Sequence, residues 1–154
     1  ITVVSAGVKS ILDIGATLER LESLGVIVLG FQTNDFPSFW LPSSGFELDW
    51  RADDAEAVAK VMASRDELGL TSGIVVANPI PVDKQLDPAL HDAVLEQAIT
   101  EAAAQGLSGK DVTPFLLTRI VELTGGESLA VNLELVRNNI AVAADIATAA
   151  AERW

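Results

Sequence analysis

Apolar and polar positions along the chain follow two alternating periods, and the switches between them predict an α/β protein. Residues 1–8 (ITVVSAGV) have the β-branched, continuous apolar character of a buried strand, with small residues where a ligand or another backbone can come close. Ile11, Ile14, Leu18 and Leu21 then recur at helical spacing, predicting a helix over 11–24 with Ser10 as its N-cap, Asp13 three positions on, and Gly25 as its stop. A second buried-type strand is expected at 26–31. A loop rich in Pro, Ser and aromatic residues follows at 32–45, then a short alternating edge strand at 46–50. Asp53 or Asp54 is placed to cap a helix reaching about residue 68, and 73–78 reads as a third buried strand, halted by Pro79 and Pro81.

The second half of the chain reads as three consecutive helices. Asp87-Pro88 opens one that Gly106 ends, Thr113-Pro114 opens the next with Gly125-Gly126 as its stop, and Ser128 caps a last one to about residue 152. This order predicts a single α/β domain over 1–154 in which the C-terminal helical run covers the sheet.

Composition narrows the function classes. With 49% hydrophobic and 21% charged residues in 154, the chain can bury a good core and is not disordered. A formal net charge of −12 argues against binding a nucleic-acid backbone, while leaving room for a small anionic ligand in a locally positive pocket. No apolar stretch approaches the ~20 residues of a membrane helix, and no signal segment opens the chain. The absence of cysteine removes disulfides and thiolate metal sites. The chain opens at Ile1, inside an expected strand and without an initiating methionine, as a part of something longer would.

Among the residues able to carry chemistry, Lys9 stands out at the end of the first strand. A cation beside a helix N-terminus and at a buried sheet edge is disfavoured as an ammonium, and such a lysine is a Schiff-base nucleophile; the other reading is a strand-end lysine that snorkels to water. Asn132, Asn138 and Asn139 lie in the last helix, with Asn132 and Asn139 two turns apart on one face. Asn is a poor helix-interior residue, so these carboxamides either face a uracil-like ring edge, which needs a donor and an acceptor together, or tie neighbouring backbones. Asn78 falls at the carboxyl end of a strand, where open α/β sheets bind ligands, or is a turn cap before Pro79. Thr113 with Lys110 is compatible with a phosphate cradle at a helix N-terminus and equally with a plain N-cap. His91, the one histidine, is expected at the surface, and no spacing supports a zinc site. Asp53, Asp54 and Glu56 read as first-turn dipole partners. There is no Walker motif, dinucleotide fingerprint or nucleophile elbow.

Taken in order, these segments resemble the pseudouridine-5′-phosphate glycosidases, the indigoidine synthase A-like family. The resemblance runs through Val3-Val4-Ser5-Ala6-Gly7-Val8-Lys9-Ser10 and Val75-Val76-Ala77-Asn78-Pro79-Ile80-Pro81. It is closest over Gly109-Lys110-Asp111-Val112-Thr113-Pro114-Phe115 and Thr124-Gly125-Gly126-Glu127-Ser128-Leu129, then Asn132 and Asn138-Asn139. It covers nearly the whole chain and corresponds to the C-terminal half of a family member.

The resemblance implies reversible cleavage of the C–C glycosidic bond of pseudouridine 5′-phosphate to uracil and ribose 5-phosphate. It makes Lys9 the imine-forming lysine and Asn132 the active-site asparagine near the uracil, with Asn78, Thr113 and Asn139 as candidate substrate contacts. It further implies a layered α/β/α core with a mixed sheet, a cytoplasmic homotrimer, and a divalent metal, Mn2+, bound by residues outside this chain. The general-acid glutamate and the main phosphate contacts are expected there too. Some relatives run the reaction in reverse on an aromatic aglycone, so a C-glycoside synthase is the same-family alternative. A non-catalytic oligomer-forming remnant is the alternative from another class. Ser5, where many members carry cysteine, Val8, where alanine is common, Ser64-Arg65-Asp66 in place of a lysine-tryptophan pair, and Ile140 depart from the family pattern.

Overall fold

The computed structural model describes residues 1–152. Four strands, β1 (Thr2–Ser5), β2 (Ile27–Phe31), β3 (Arg51–Ala52) and β4 (Ile74–Ala77), form one sheet in the order β1-β4-β2-β3, parallel throughout. Antiparallel pairing is confined to two isolated bridges, Gly7–Ser38 and Asp35–Glu47, so the mixed character expected of the sheet is not found in its named strands. The helices are α1 (Ile14–Ser23), α2 (Ala55–Glu67), α3 (Pro88–Ala104), α4 (Val112–Leu123) and α5 (Glu127–Ala151).

β4 lies inside the sheet, between β1 and β2, and Ile74, Val76 and Ala77 on it are fully buried. The continuous apolar run of this segment is what such a strand needs. One apolar cluster joins Leu29, Ala52, Ile74 and Val76 of the sheet to Val58 of α2 and Ile146 of α5. A second, formed by Ala6, Trp40, Ile80, Leu86, Val94, Ala98, Leu116, Ile120, Val131 and Leu135, draws on α3, α4 and the first half of α5. Of the C-terminal helical run it is therefore α5 that lies against the sheet, packing on β1 and α2, while α3 and α4 pack on each other. Each fully buried Leu, Ile or Val in these clusters contributes about 1.5–3 kcal/mol. α1 is covered far less: it has no buried residue, and Val3 on β1 remains 47% exposed.

Several local expectations are corrected. Asp13, not Ser10, caps α1, accepting the Ala16 N–H at 2.8 Å, and the chain from Lys9 to Leu12 forms a turn closed by a Leu12 N–H to Lys9 carbonyl bond of 2.9 Å. The edge strand is Arg51–Ala52; the preceding segment instead pairs with the loop before it, Phe36 N–H donating to the Phe46 carbonyl and Leu48 N–H to the Asn34 carbonyl. Thr113 is the second residue of α4, not its cap, because a 3-10 turn over Gly109–Asp111 already leads into the helix. Ser128 lies inside α5, after the left-handed Gly126; Thr124 supplies the capping function, its Oγ1 accepting the Ser128 N–H at 3.2 Å. Asp54 and Asp87 cap α2 and α3 as expected.

Candidate functional site

The carboxyl ends of β1 and β4 are neighbours, Asn78 N–H donating to the Ser5 carbonyl at 2.8 Å. Asn78 directly follows β4 and Lys9 follows the end of β1 by four residues, so both belong to the carboxyl edge of the sheet, where parallel sheets place their ligands. Gly7 makes this exit possible. It sits at φ +79°, and a Cβ there would lie 1.8 Å from the Pro37 carbonyl oxygen, so only glycine lets the 32–45 loop cross so closely.

That loop builds the surroundings of the lysine. Phe36, Pro37, Ser38 and Trp40 are buried, which explains its aromatic content. Phe39 N–H donates to the Ala6 carbonyl at 2.9 Å, and the Lys9 Nζ lies 5.3 Å from the centroid of the Phe39 ring. Lys9 is half-buried and its amine has no hydrogen bond or ion pair to any described residue. Because Asp13 caps α1 four residues later, the helix-dipole reason for singling out Lys9 falls away, the dipole acting only within the first turn. What remains is an amine without a carboxylate partner, facing an aromatic ring at a sheet edge.

Ser10, freed from capping, hydrogen-bonds His91 Nε2 at 2.7 Å, and His91 Nδ1 lies 2.9 Å from the Asp92 carboxylate. His91 is only 5% exposed, against the expectation of a surface residue: the first turn of α3 faces the second core, and Trp40 packs 6.2 Å from the imidazole. Histidine at 91, with Phe39 and Trp40, is the part of the lysine's setting that sequence reasoning missed; the density of aromatics in 32–45 was the available signal.

The asparagines divide. Asn78 Nδ2 donates to Asn139 Oδ1 at 3.0 Å and Asn138 Nδ2 donates to the Pro79 carbonyl at 3.1 Å, so these three tie α5 to the end of β4. Asn132 is half-buried and its side chain has no hydrogen bond to a described residue. It lies one turn beyond Ser128, whose carbonyl accepts the Trp40 indole N–H at 3.1 Å, and on the same side of α5. Thr113 is half-buried, with a hydroxyl likewise unbonded to described residues, and Lys110 is exposed; neither is joined to Lys9 or Asn78 by any contact. Among the described residues no group of three or more His, Cys, Asp or Glu side chains could hold a metal ion, so the divalent metal implied by the resemblance does not fit this stretch. No helix among them is long and apolar enough to cross a membrane.

A parallel α/β sheet with an asparagine and, among the described residues, an unpaired lysine beyond neighbouring strand ends defines an α/β protein with a candidate amine nucleophile at its carboxyl edge. Residues 1–149 match the family described as indigoidine synthase A like protein, and the chain belongs to that family. It is 63% identical over 97% of its length to a pseudouridine-5′-phosphate glycosidase of Frankia alni, covering 41% of that protein. It is 54% identical over 99% of its length to one of Salinispora tropica, covering 48% of it. The chain thus spans about half the length of the curated relatives it matches. Among solved structures it superposes on the prealnumycin C-glycosynthase AlnA in complex with ribulose 5-phosphate, with TM-score 0.90 at 27% identity, over 97% of this chain and 49% of that one. It also superposes on an indigoidine synthase A-like protein from Thermotoga maritima, with TM-score 0.81 at 39% identity, over 95% of this chain and 48% of the other.

Proposed function

We propose that this chain is the lysine-bearing, C-terminal half of a pseudouridine-5′-phosphate glycosidase. The observation that carries the reading is Lys9: a half-buried amine at the carboxyl end of a parallel strand, without a carboxylate partner. A C–C glycosidic bond has no leaving oxygen to protonate, so two-carboxylate hydrolysis is poorly suited to it, and an amine nucleophile meets the need. The Lys9 amine bonds to C1′ as the sugar ring opens and O4′ takes a proton. The C–C bond then breaks with its electron pair staying on the uracil, which takes a proton at that carbon, while the nitrogen lone pair completes an iminium with C1′. Water hydrolyses the iminium, releasing ribose 5-phosphate and the free amine.

Asn132, with its carboxamide uncommitted, is assigned to the uracil edge. Asn78 and Asn139 shape the floor of the site through their mutual hydrogen bond, and Thr113 is a more distant candidate for the phosphate end. A divalent metal, with Mn2+ as the candidate, belongs in this reading to residues outside the chain. A cytoplasmic homotrimer is proposed on the family resemblance alone. The test is borohydride reduction of the intact protein with ribose 5-phosphate: a covalent adduct on Lys9 is expected, and no adduct, or one on Lys110, refutes the assignment.

The superposition on a C-glycosynthase favours a second reading, synthesis of a C-glycoside from ribose 5-phosphate and an aromatic aglycone. Supplying uracil and a quinone-like aglycone in parallel distinguishes them by which is joined to the sugar. The remnant reading predicts no turnover by residues 1–154 without the other half, and measurable turnover by that chain alone overturns it.

A further inference from the structure

Phe39 holds a backbone conformation that a bulky residue rarely adopts, φ +71°, and one of only two positive-φ positions outside glycine among the described residues. Such strain persists only where the surroundings over-determine it. Here they do. The Phe39 N–H is bound to the Ala6 carbonyl and Ser38 bridges Gly7 before it. The Trp40 indole after it is bound to the Ser128 carbonyl and the Trp40 carbonyl accepts the Leu86 N–H. From this anchored stretch the ring packs, partly buried, against the second apolar cluster, edge-on to Trp40 with centroids 5.2 Å apart at 85°, and the Lys9 Nζ lies over its face.

We propose that Phe39 is a positioning residue for the Lys9 amine: its ring face holds the nitrogen at the sheet edge and stabilises the iminium that forms once C1′ is bound. This deepens the Lys9 reading above and rests on it. An aromatic face attracts such a cation within about 6 Å, more strongly where water is excluded. The iminium is held in one place, so the ring acts on the covalent step more than on the binding of the sugar phosphate. His91, through Ser10, fixes the backbone on the other side of the lysine.

The test compares Phe39→Leu, which keeps the bulk, Phe39→Gly, which removes the ring and relieves the strained φ, and Phe39→Tyr, which keeps the ring face, in the intact protein. Either folded ringless variant is expected to lose about tenfold in kcat and in the rate of borohydride trapping on Lys9, with KM within about twofold. Phe39→Tyr is expected to stay within about threefold of the parent. Trapping on Lys9 at the parental rate in a ringless variant overturns the proposal while leaving Lys9 the nucleophile. Equal loss in Phe39→Tyr and Phe39→Leu, or a loss confined to KM, overturns it too, since a merely structural role would produce either. Absence of any Lys9 adduct in the parent overturns both readings together.

Discussion

Two residues that follow the carboxyl ends of neighbouring strands are held by opposite means. Around Asn78 the structure is closed by amide hydrogen bonds: Asn78 to Asn139, Asn138 to Pro79. Around Lys9 it is closed by apolar and aromatic groups and a strained loop, and among the described residues the amine meets only a ring face. The difference separates groups committed to the fold from a group available for reaction. A carboxamide that has already found its partner gains little from a ligand, whereas an amine that lacks one is left to react. Asn132, alone among the four singled-out asparagines in making no side-chain hydrogen bond to a described residue, belongs with Lys9 in this respect.

The comparison can be broken from either side. Lys9→Ala should lower turnover of the intact protein by at least about a thousandfold with little change in melting temperature, as expected for loss of a covalent nucleophile; retained turnover would return Lys9 to the solvated-lysine reading. Gly7→Ala should cost at least ~3 kcal/mol in urea unfolding, since the added methyl meets the Pro37 carbonyl at 1.8 Å on a left-handed backbone. Asn78→Ala and Asn139→Ala should each cost ~1–3 kcal/mol, with the double variant costing less than their sum because each single change strands the other's carboxamide. Strict additivity would show that the 3.0 Å bond carries no weight.

The smallest effect concerns the surface tie between α3 and α4, where Arg119 Nε bonds Glu101 at 2.5 Å. The hydrogen bond from Arg119, with a second from Gln97, holds the Glu101 carboxyl below its ordinary value of 4.5. A carboxyl depressed in the folded state adds stability above the unfolded value and loses it as pH falls through the folded one. A slight weakening confined to pH below about 4.5, absent in Arg119→Gln, is therefore expected in melting curves. A loss that appears instead above neutral pH would contradict it.

How much of this was legible depends on whether the signal was local. Buried strands and helix stops are written in short runs, so 73–78 and the Asp54 and Asp87 caps read correctly. Caps with competing candidates did not: Ser10 and Asp13 are both good acceptors, and what decides is that His91, 81 positions away, engages the Ser10 hydroxyl. His91 itself sat in a polar stretch and was placed at the surface because the Trp40 that buries it comes from a distant loop. The dipole that singles out Lys9 from sequence belongs to a helix that starts later than its apolar spacing predicts, at Ile14. The actual setting of Lys9, made by Phe39, is a long-range contact that no spacing encodes.

α5 runs 25 residues, roughly 37 Å, and contributes Val131 and Leu135 to one apolar cluster and Ile146 to the other. Neither half of that rod can come loose without uncovering part of a core, so the sheet layer and the α3–α4 layer should unfold in one cooperative event. Amide exchange in the middle of α5 should then report global opening, and a substitution as far from Lys9 as Ile146 should weaken the whole fold around it.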